Sequence, residues 1–219
     1  MGGANHDVVS FSLLLGFLAL IPLVVVTTTS FLKISMVLMT LRNAIGVQQV
    51  PPTMAIYGIA LAVSIFVMAP TLQQVGDRVS KIDPTMNDSR TESLFGHAKD
   101  VFQPVQQFML KYAHPDQREV FLASARKLWP KEMSKDATSS DPVILIPAFV
   151  VSELQAGFEI GFLIYLPFVI IDLLVANLLM ALGMQQVSPQ TITIPLKLLL
   201  FVLIDGWGKV LTGLVNTYI

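Results

Sequence analysis

The chain has 219 residues, of which 53% are apolar and only 13% charged, and its formal net charge is −1. This composition excludes an ordinary soluble domain and predicts a membrane protein or a subunit of a membrane assembly. The near-neutral charge gives no electrostatic footprint for nucleic acid, so we expect no nucleic-acid partner. The absence of cysteine excludes disulfides, thiol catalysis and thiolate metal sites.

Charged residues are concentrated in the middle of the chain and divide it into three parts. Residues 71–141 hold ten of the 14 basic and ten of the 15 acidic side chains. We therefore predict a soluble helical insert over 71–141, between an N-terminal hydrophobic arm over 1–70 and a C-terminal hydrophobic arm over 142–219. The predicted fold class is all-α, with two membrane-associated helical hairpins and a small helical insert.

The first arm contains three apolar runs. The run from Phe11 to Val26 is followed by the polar break TTTS and then by the more helical stretch FLKISMVLMTLRNAIG. After a turn, the third run extends from Met54 to Pro70. A simple bilayer-crossing helix needs about 20 consecutive apolar residues, and the first run is shorter than that.

The insert has the pattern of two amphipathic helices. Apolar residues recur at helical spacing from Leu94 to Tyr112, and again from Val120 to Trp129 after the start signal HPDQRE. Pro104 lies inside the first pattern, so we expect that helix to be kinked or to begin late.

The second arm is a long apolar segment, a turn and a C-terminal apolar segment. The prolines Pro147, Pro167 and Pro195, like Pro22 in the first arm, divide the apolar segments, so we interpret the segments as broken helices. Interrupted helices are tolerated in a membrane only where protein or a water-filled cavity satisfies the freed backbone groups. We therefore expect packing into a larger complex. The alternative is four ordinary spanning helices with proline kinks.

Two similar turns, IGVQQVPP and LGMQQVSP, each separate two apolar runs and predict a helical hairpin. Each contains a glycine that can end a helix in the left-handed conformation, two glutamines, and proline where the next helix would begin. The residues assigned to the two turns are Gly46, Gln48, Gln49, Pro51, Pro52, Gly183 and Pro189.

The second turn also carries Met184, a flexible apolar side chain that can repack, beside Gln185 and Gln186. A methionine beside polar amides at a hairpin tip can close a channel and can still move aside when the channel opens. We therefore consider this triplet a candidate pore gate. The alternative is an ordinary exposed loop tip, and the turn sequence alone fits both.

Eight ionisable residues lie within the apolar arms, where a charge is costly and usually faces a bundle interior or a cavity. Four are basic and four are acidic, so we predict that they pair within or between subunits. The alternative is a proton or ion relay, which the balance of sign and the lack of histidine among them disfavour. These residues are Lys33, Arg42, Glu153, Glu159, Asp172, Lys197, Asp205 and Lys209.

The sequence lacks enzymatic signatures. Its three histidines form no HExxH frame, and it contains no GxSxG motif or phosphate-binding Gly-rich loop with its lysine. Glu153 and Glu159 are six positions apart, so on a straight helix they do not form a carboxylate pair. We expect no catalytic residue, no cofactor and no metal.

Three long stretches of the arms carry a family resemblance. They are TSFLKISMVLMTLRNAIGVQQVPPTMAIYGIAL, LIPAFVVSELQAGFEIGFLIYLPFVIIDLLVANLLMALGM and VSPQTITIPLKLLLFVLIDGW. They closely resemble the FliP/SctR family, also called YscR or HrcR, the export-gate component of bacterial type III secretion systems. GVQQVPP resembles the injectisome branch, which serves virulence or host interaction, more than the flagellar branch.

The resemblance implies a pentamer, joined by SctS and SctT subunits into a helical export-gate cone that carries unfolded polypeptides toward needle or rod subunits. It implies contact with other export apparatus proteins and with membrane lipid, and a multi-pass location in the bacterial inner membrane with the insert on the periplasmic side. It also implies that the hairpins of the finished complex are lifted largely out of the bilayer plane.

The resemblance gives the second turn a role. In many relatives the positions of Met184, Gln185 and Gln186 hold a run of methionines that forms a ring around the pore. The single methionine here implies a narrower, wetter constriction, in which glutamines hydrogen-bond around the ring. An alternative from another class is a secondary transporter or ion channel built from paired hairpins, with Asp172, Asn177 and Asp205 carrying protons or substrate. A third possibility is an assembly scaffold without a pore.

Overall fold

The computed structural model describes residues 3–47, 50–81 and 91–219. Within these ranges the chain forms α-helices and no strand, so the prediction of an all-α fold is confirmed. The helices are α1 (Gly3–Thr28), α2 (Phe31–Ile45), α3 (Thr53–Ser80), α4 (Thr91–Tyr112), α5 (Pro115–Leu128), α6 (Lys131–Lys135), α7 (Pro142–Ala181), α8 (Pro189–Leu203) and α9 (Gly206–Asn216).

The two arms form two hairpins, α2–α3 and α7–α8, that share one interface. The most extensive helix–helix contact runs between α2 and α7. α2 buries one face because its apolar residues recur every three or four positions. That face consists of Ile34, Val37, Leu38, Leu41, Ala44 and Ile45. It packs against α7 on one side and against α3 and α8 on the others.

Small residues allow α2 and α7 to approach closely. A Cβ atom added at Gly157 would lie 2.5 Å from the Met36 methyl carbon, and one added at Gly161 would lie 3.1 Å from Thr40 Cγ2. These two glycines are four residues apart and therefore lie on the same face of α7. The hairpins consequently pack with almost no space for a larger side chain at these points.

The predicted broken helices are confirmed by two bent helix pairs, but the breaks do not lie at the prolines. Pro147 and Pro167 lie inside the continuous helix α7, Pro22 lies inside α1, and Pro195 lies inside α8. An interior proline removes one backbone hydrogen bond and crowds the carbonyl four residues earlier, yet these helices remain continuous on both sides of it. Pro104 likewise lies inside α4, so that helix does not begin late.

The helices are interrupted at two other places. α1 and α2 meet at 74°, at the TTTS segment that the sequence marks as a break, and α8 and α9 meet at 64°. At the first bend, the Thr28 and Thr29 hydroxyls donate to carbonyl oxygens four residues earlier, at 2.7 and 2.6 Å. The buried Ser30 and Ser64 hydroxyls are hydrogen-bonded to each other at 2.9 Å. Side-chain oxygens thus satisfy the polar groups of the bend.

The insert shares a core with the arms. α3 continues through position 70 to Ser80, and α4 packs against both α3 and α7. Phe108 and Met109 of α4 are buried in the same apolar cluster as Phe149 of α7 and Leu214 of α9. The base of the insert is therefore fixed to both hairpins by apolar packing.

A broad apolar surface remains exposed on α1, α3, α7 and α8. Phe66 and Val202 are examples, with 68% and 71% of their surface accessible. Soluble monomers rarely expose continuous apolar areas of this kind. Among the described residues, α3 and α7 are long and apolar enough to cross a membrane, and each bent pair could add one more span. The chain is therefore a membrane protein.

Candidate functional site

The second turn is capped by its own backbone. Gly183 has the left-handed φ of +74°. Its N–H donates to the Met180 carbonyl at 3.1 Å, and the N–H of Met184 donates to the Leu179 carbonyl at 2.9 Å. These two bonds constitute a Schellman motif, which satisfies the last carbonyls of a helix without any side chain. The shape of this turn therefore depends on Gly183 and not on the side chains that follow it.

The candidate gate triplet occupies the tip of the α7–α8 hairpin. Met184 is 45% exposed, and Gln185 and Gln186 are exposed as well. The next helix begins at Pro189, directly after Ser188, whose hydroxyl makes no capping hydrogen bond. All three triplet side chains are thus presented to the surroundings of the subunit.

The first turn is packed against the second hairpin. Gly46 has φ +90°, and a Cβ atom added there would lie 3.3 Å from Ile194 Cγ1 of α8. Pro51 and Pro52 precede α3, and the guanidinium of Arg42 donates to the Pro51 carbonyl at 3.4 Å. Gly46 is therefore packed against the second hairpin, whereas no atom lies close to the corresponding position of Gly183. Gln48 and Gln49 lie outside the described residues.

One ion pair is buried between the hairpins. Lys33 Nζ of α2 lies 3.3 Å from Glu153 Oε1 of α7, and the two side chains are 4% and 2% exposed. The hydroxyl of Tyr218 donates to Glu153 Oε2. The Lys33 ammonium also lies 3.7 Å from the centre of the Tyr218 ring, in the position of a cation–π contact. Both charges are therefore compensated within the subunit.

Tyr218 connects this ion pair to the insert. Its main-chain oxygen accepts a hydrogen bond from the Tyr112 hydroxyl at 2.5 Å, and its ring stacks on Phe108 with centroids 6.0 Å apart. Sequence reasoning did not identify Tyr218. The available signal was a tyrosine within an apolar segment, since a buried tyrosine hydroxyl usually requires a partner.

A second ion pair joins α7 to α8. Lys197 Nζ lies 2.6 Å from Asp172 Oδ2 and donates to the main-chain oxygen of Ala44 at 3.0 Å. Lys197 is buried, whereas the Asp172 side chain is 44% exposed. The exposed carboxylate faces a polar cavity of about 300 Å³, which Asn43 and Tyr165 also line. This pair is therefore accessible from outside the subunit.

The other four arm charges make no ion pair within the described residues. They are Arg42, Glu159, Asp205 and Lys209. Asp205 occupies the bend between α8 and α9 with the left-handed φ of +53°, and Glu159 and Lys209 are exposed. Pairing of these residues between subunits stays a prediction. In the described part of the chain no group of three or more acidic or histidine side chains is arranged to hold a metal ion.

These features define an all-α membrane protein built from two packed helical hairpins, of which the second ends in an exposed turn. The sequence model of the FliP family matches residues 14–214 of the chain. The chain therefore belongs to the FliP/SctR family of type III secretion proteins, and the assignment made from the sequence is confirmed.

Curated relatives cover the chain almost completely. The harpin secretion protein HrpW of Pseudomonas syringae pv. syringae is 53% identical over 94% of this chain and 99% of its own length. The harpin secretion protein HrcR of Erwinia amylovora is 49% identical over the whole of both chains. The Yop proteins translocation protein R of Yersinia pestis is 43% identical over 97% of each. Membership of this family identifies a secretion-apparatus protein and not an enzyme, and it favours protein secretion over the transporter interpretation.

Proposed function

We propose that this chain is a structural pore subunit of the export apparatus of a type III secretion system, and that Met184, Gln185 and Gln186 form its gate. The observation that carries the proposal is the exposed, backbone-capped α7–α8 turn in a chain of the FliP family. Because the backbone alone holds the turn, its three side chains are available to meet the same side chains of neighbouring copies.

The proposed gate is a ring of turns, one from each copy of a pentamer. Methionine adapts its shape to irregular gaps because its side chain is unbranched and flexible. Each glutamine amide offers two N–H donors and one carbonyl acceptor, so neighbouring amides can hydrogen-bond around the ring. Met184 would fill the axis, and Gln185 and Gln186 would link the copies. The result is a closure that opens by side-chain rearrangement, without unfolding of a helix.

The proposed setting is the inner membrane, with the insert on the periplasmic side and with SctS and SctT completing the gate. The chain exports unfolded polypeptides, among them needle or rod subunits and virulence proteins. Support comes from the relatives whose names describe harpin secretion and Yop translocation. The apolar surface left uncovered on α1, α3, α7 and α8 is of the kind that subunits and lipid cover in an assembly.

The gate is tested by replacing Met184, Gln185 and Gln186 together with alanine in the complete apparatus. We expect the variant to assemble like the parent and to make the membrane permeable to ions and small dyes. Permeability is measured in cells and in vesicles that contain the purified complex. Gln155→Ala is the matched control, because Gln155 is an exposed glutamine of α7 far from the turn. A triple variant that assembles and is as tight as the parent would show that this turn is not the gate.

A further inference from the structure

Two exposed charges of opposite sign lie on the α7–α9 side of the subunit. Glu159 lies near the middle of α7, and its neighbours Phe158 and Phe162 are 66% and 62% exposed. Lys209 lies in the first turn of α9 and is exposed as well. In the part of the chain that the structure describes, neither side chain makes an ion pair.

Glu159 and Lys209 are at nearly the same level of α7. Lys209 lines an apolar groove between α7 and α9, together with Ile160 and Ile164. Glu159 lines the adjoining cleft, which shares Ile160 and Thr217 with that groove. Ile160 follows Glu159 directly in the sequence, and Ile164 comes one helical turn later. Glu159 and Lys209 are therefore close in height along the axis of α7, and most of the distance between them lies around the circumference of the subunit.

The helices that carry these two charges are strongly apolar. α7 is apolar enough to cross a membrane, and the bent pair α8–α9 passes the same test. An ionised side chain in such surroundings normally pairs with an opposite charge. Glu153 is bonded to Lys33, and Asp172 is bonded to Lys197. Lys111 lines the same cleft as Glu159, and Asp205 lies four residues before Lys209, but among the described residues neither forms an ion pair with Glu159 or Lys209. Both charges are therefore available to a counter-charge from another molecule.

We propose that Glu159 of one copy pairs with Lys209 of the next copy, and that the α7–α9 groove is part of the interface between them. This inference rests on the proposed ring and adds a specific contact to it. In a head-to-tail arrangement each copy between two others gives its carboxylate to one neighbour and its ammonium to the other. When neighbouring copies are related by rotation about an axis that runs along α7, each group keeps its height along that axis. Glu159 of one copy and Lys209 of the next are then at a similar height and can meet.

A second copy fits this surface because it carries both signs in equal number. The groove lining is apolar apart from Lys209 and Thr217, with Val210, Gly213 and Leu214 on the α9 side, and thus suits the exposed apolar face of a neighbouring helix. Asp205 is the competing carboxylate for Lys209. It lies four residues earlier at the α8–α9 bend, and in the structure it makes no ion pair with Lys209. It therefore provides a matched control.

Cross-linking tests the contact directly, because the chain contains no cysteine that would interfere. One copy carries Glu159→Cys and a second, differently tagged copy carries Lys209→Cys, and both are assembled into the complete apparatus. A disulfide requires Cα atoms within about 7 Å and a Glu–Lys pair spans more, so a short bifunctional thiol reagent is used. We expect a dimer that contains both tags, and none when Asp205→Cys replaces Glu159→Cys.

Charge reversal gives an independent readout. Glu159→Lys and Lys209→Glu should each lower the yield of purified rings about tenfold or more, since each places like charges together at an apolar interface. The combined exchange should restore the yield to within about twofold, because the opposite charges are then re-formed. If the double variant gives no higher yield of rings than the single variants, or if rings form but no mixed-tag dimer is found, the Glu159–Lys209 contact is wrong. The proposed function is not affected by either result. Absence of wild-type rings would overturn the proposed function as well.

Discussion

The ammonium of Lys197 donates to the main-chain oxygen of Ala44 at 3.0 Å and thereby ties α8 to the last turn of α2. The final carbonyls of a helix have no partner within the helix, and a cation placed there is favoured by the helix dipole. Because Asp172 of α7 binds the same nitrogen, one side chain links three helices from both hairpins. Lys197 is therefore central to the packing of the two arms.

Replacement of Lys197 by methionine should loosen the contact between the hairpins. The change keeps the length of the side chain but removes the ion pair and the hydrogen bond to Ala44. We expect a loss of about 1–3 kcal/mol in the free energy of unfolding, at the lower end because Asp172 is partly exposed and its charge is screened by solvent. Equilibrium unfolding in detergent measures it. Lys197→Arg keeps the charge and should retain most of the stability; an equal loss in both variants would contradict this explanation.

The Tyr218 hydroxyl should stabilise the buried ion pair. Tyr218→Phe removes the donor to Glu153 and leaves that carboxylate with Lys33 alone, which should lower the free energy of unfolding by about 1–3 kcal/mol. Tyr218→Ala also removes the ring that contacts Lys33 and Phe108, so we expect a larger loss of about 3–5 kcal/mol. Tyr57→Phe is the control, because Tyr57 is 40% exposed. Equal thermal stability of Tyr218→Phe and the parent would show that the hydroxyl contributes nothing.

The two turn glycines should differ in their response to alanine. Both adopt a positive φ, which costs a residue with a Cβ atom about 1–2 kcal/mol. At Gly183 no atom obstructs the added methyl group, whereas at Gly46 it would lie 3.3 Å from Ile194. Gly46→Ala should therefore be the more destabilising variant in thermal unfolding. Gly58→Ala, within α3 and without obstruction, should be neutral or stabilising. A reversed order of Gly46 and Gly183 would mean that the first turn does not pack against α8.

A large side chain at Gly161 should separate α2 from α7. Even a methyl group there would press on Thr40, so Gly161→Leu should overpack the contact and destabilise the subunit by about 1–3 kcal/mol or more. Protease digestion in detergent measures the result, with faster cleavage between α1 and α3 expected. Gly16→Leu, at a position with open space on α1, is the control. Identical digestion of both variants would argue against close packing at Gly161.

Local sequence patterns were sufficient for most of the fold. The left-handed turn at Gly183 and the bend at the TTTS segment depend on neighbouring residues, and both follow from residue type. The predicted breaks at the prolines were wrong because the presence of a proline does not reveal whether the helix continues on both sides of it. In α7 the helix continues through both prolines and is held by packing against α2.

The partners of the arm charges were not predictable from the sequence. The balance of charge indicates that pairs are present, but Lys33 and Glu153 come together only through the packing of α2 on α7. Tyr218 is joined to Glu153 and Tyr112 in the same way, by contacts between distant segments. The sequence offers no spacing rule for such contacts, whereas the exposed turn at Met184 follows from the residues around it.

The length of α7 has a geometric consequence. Forty helical residues extend about 60 Å, twice the roughly 30 Å of a bilayer's hydrocarbon core. Even a tilt of about 40°, the upper end of the usual range, would leave about 46 Å along the membrane normal. The insert at one end of α7 and the α7–α8 turn at the other therefore cannot both lie at the boundaries of the hydrocarbon layer. At least one end of this helix stands clear of the lipid core.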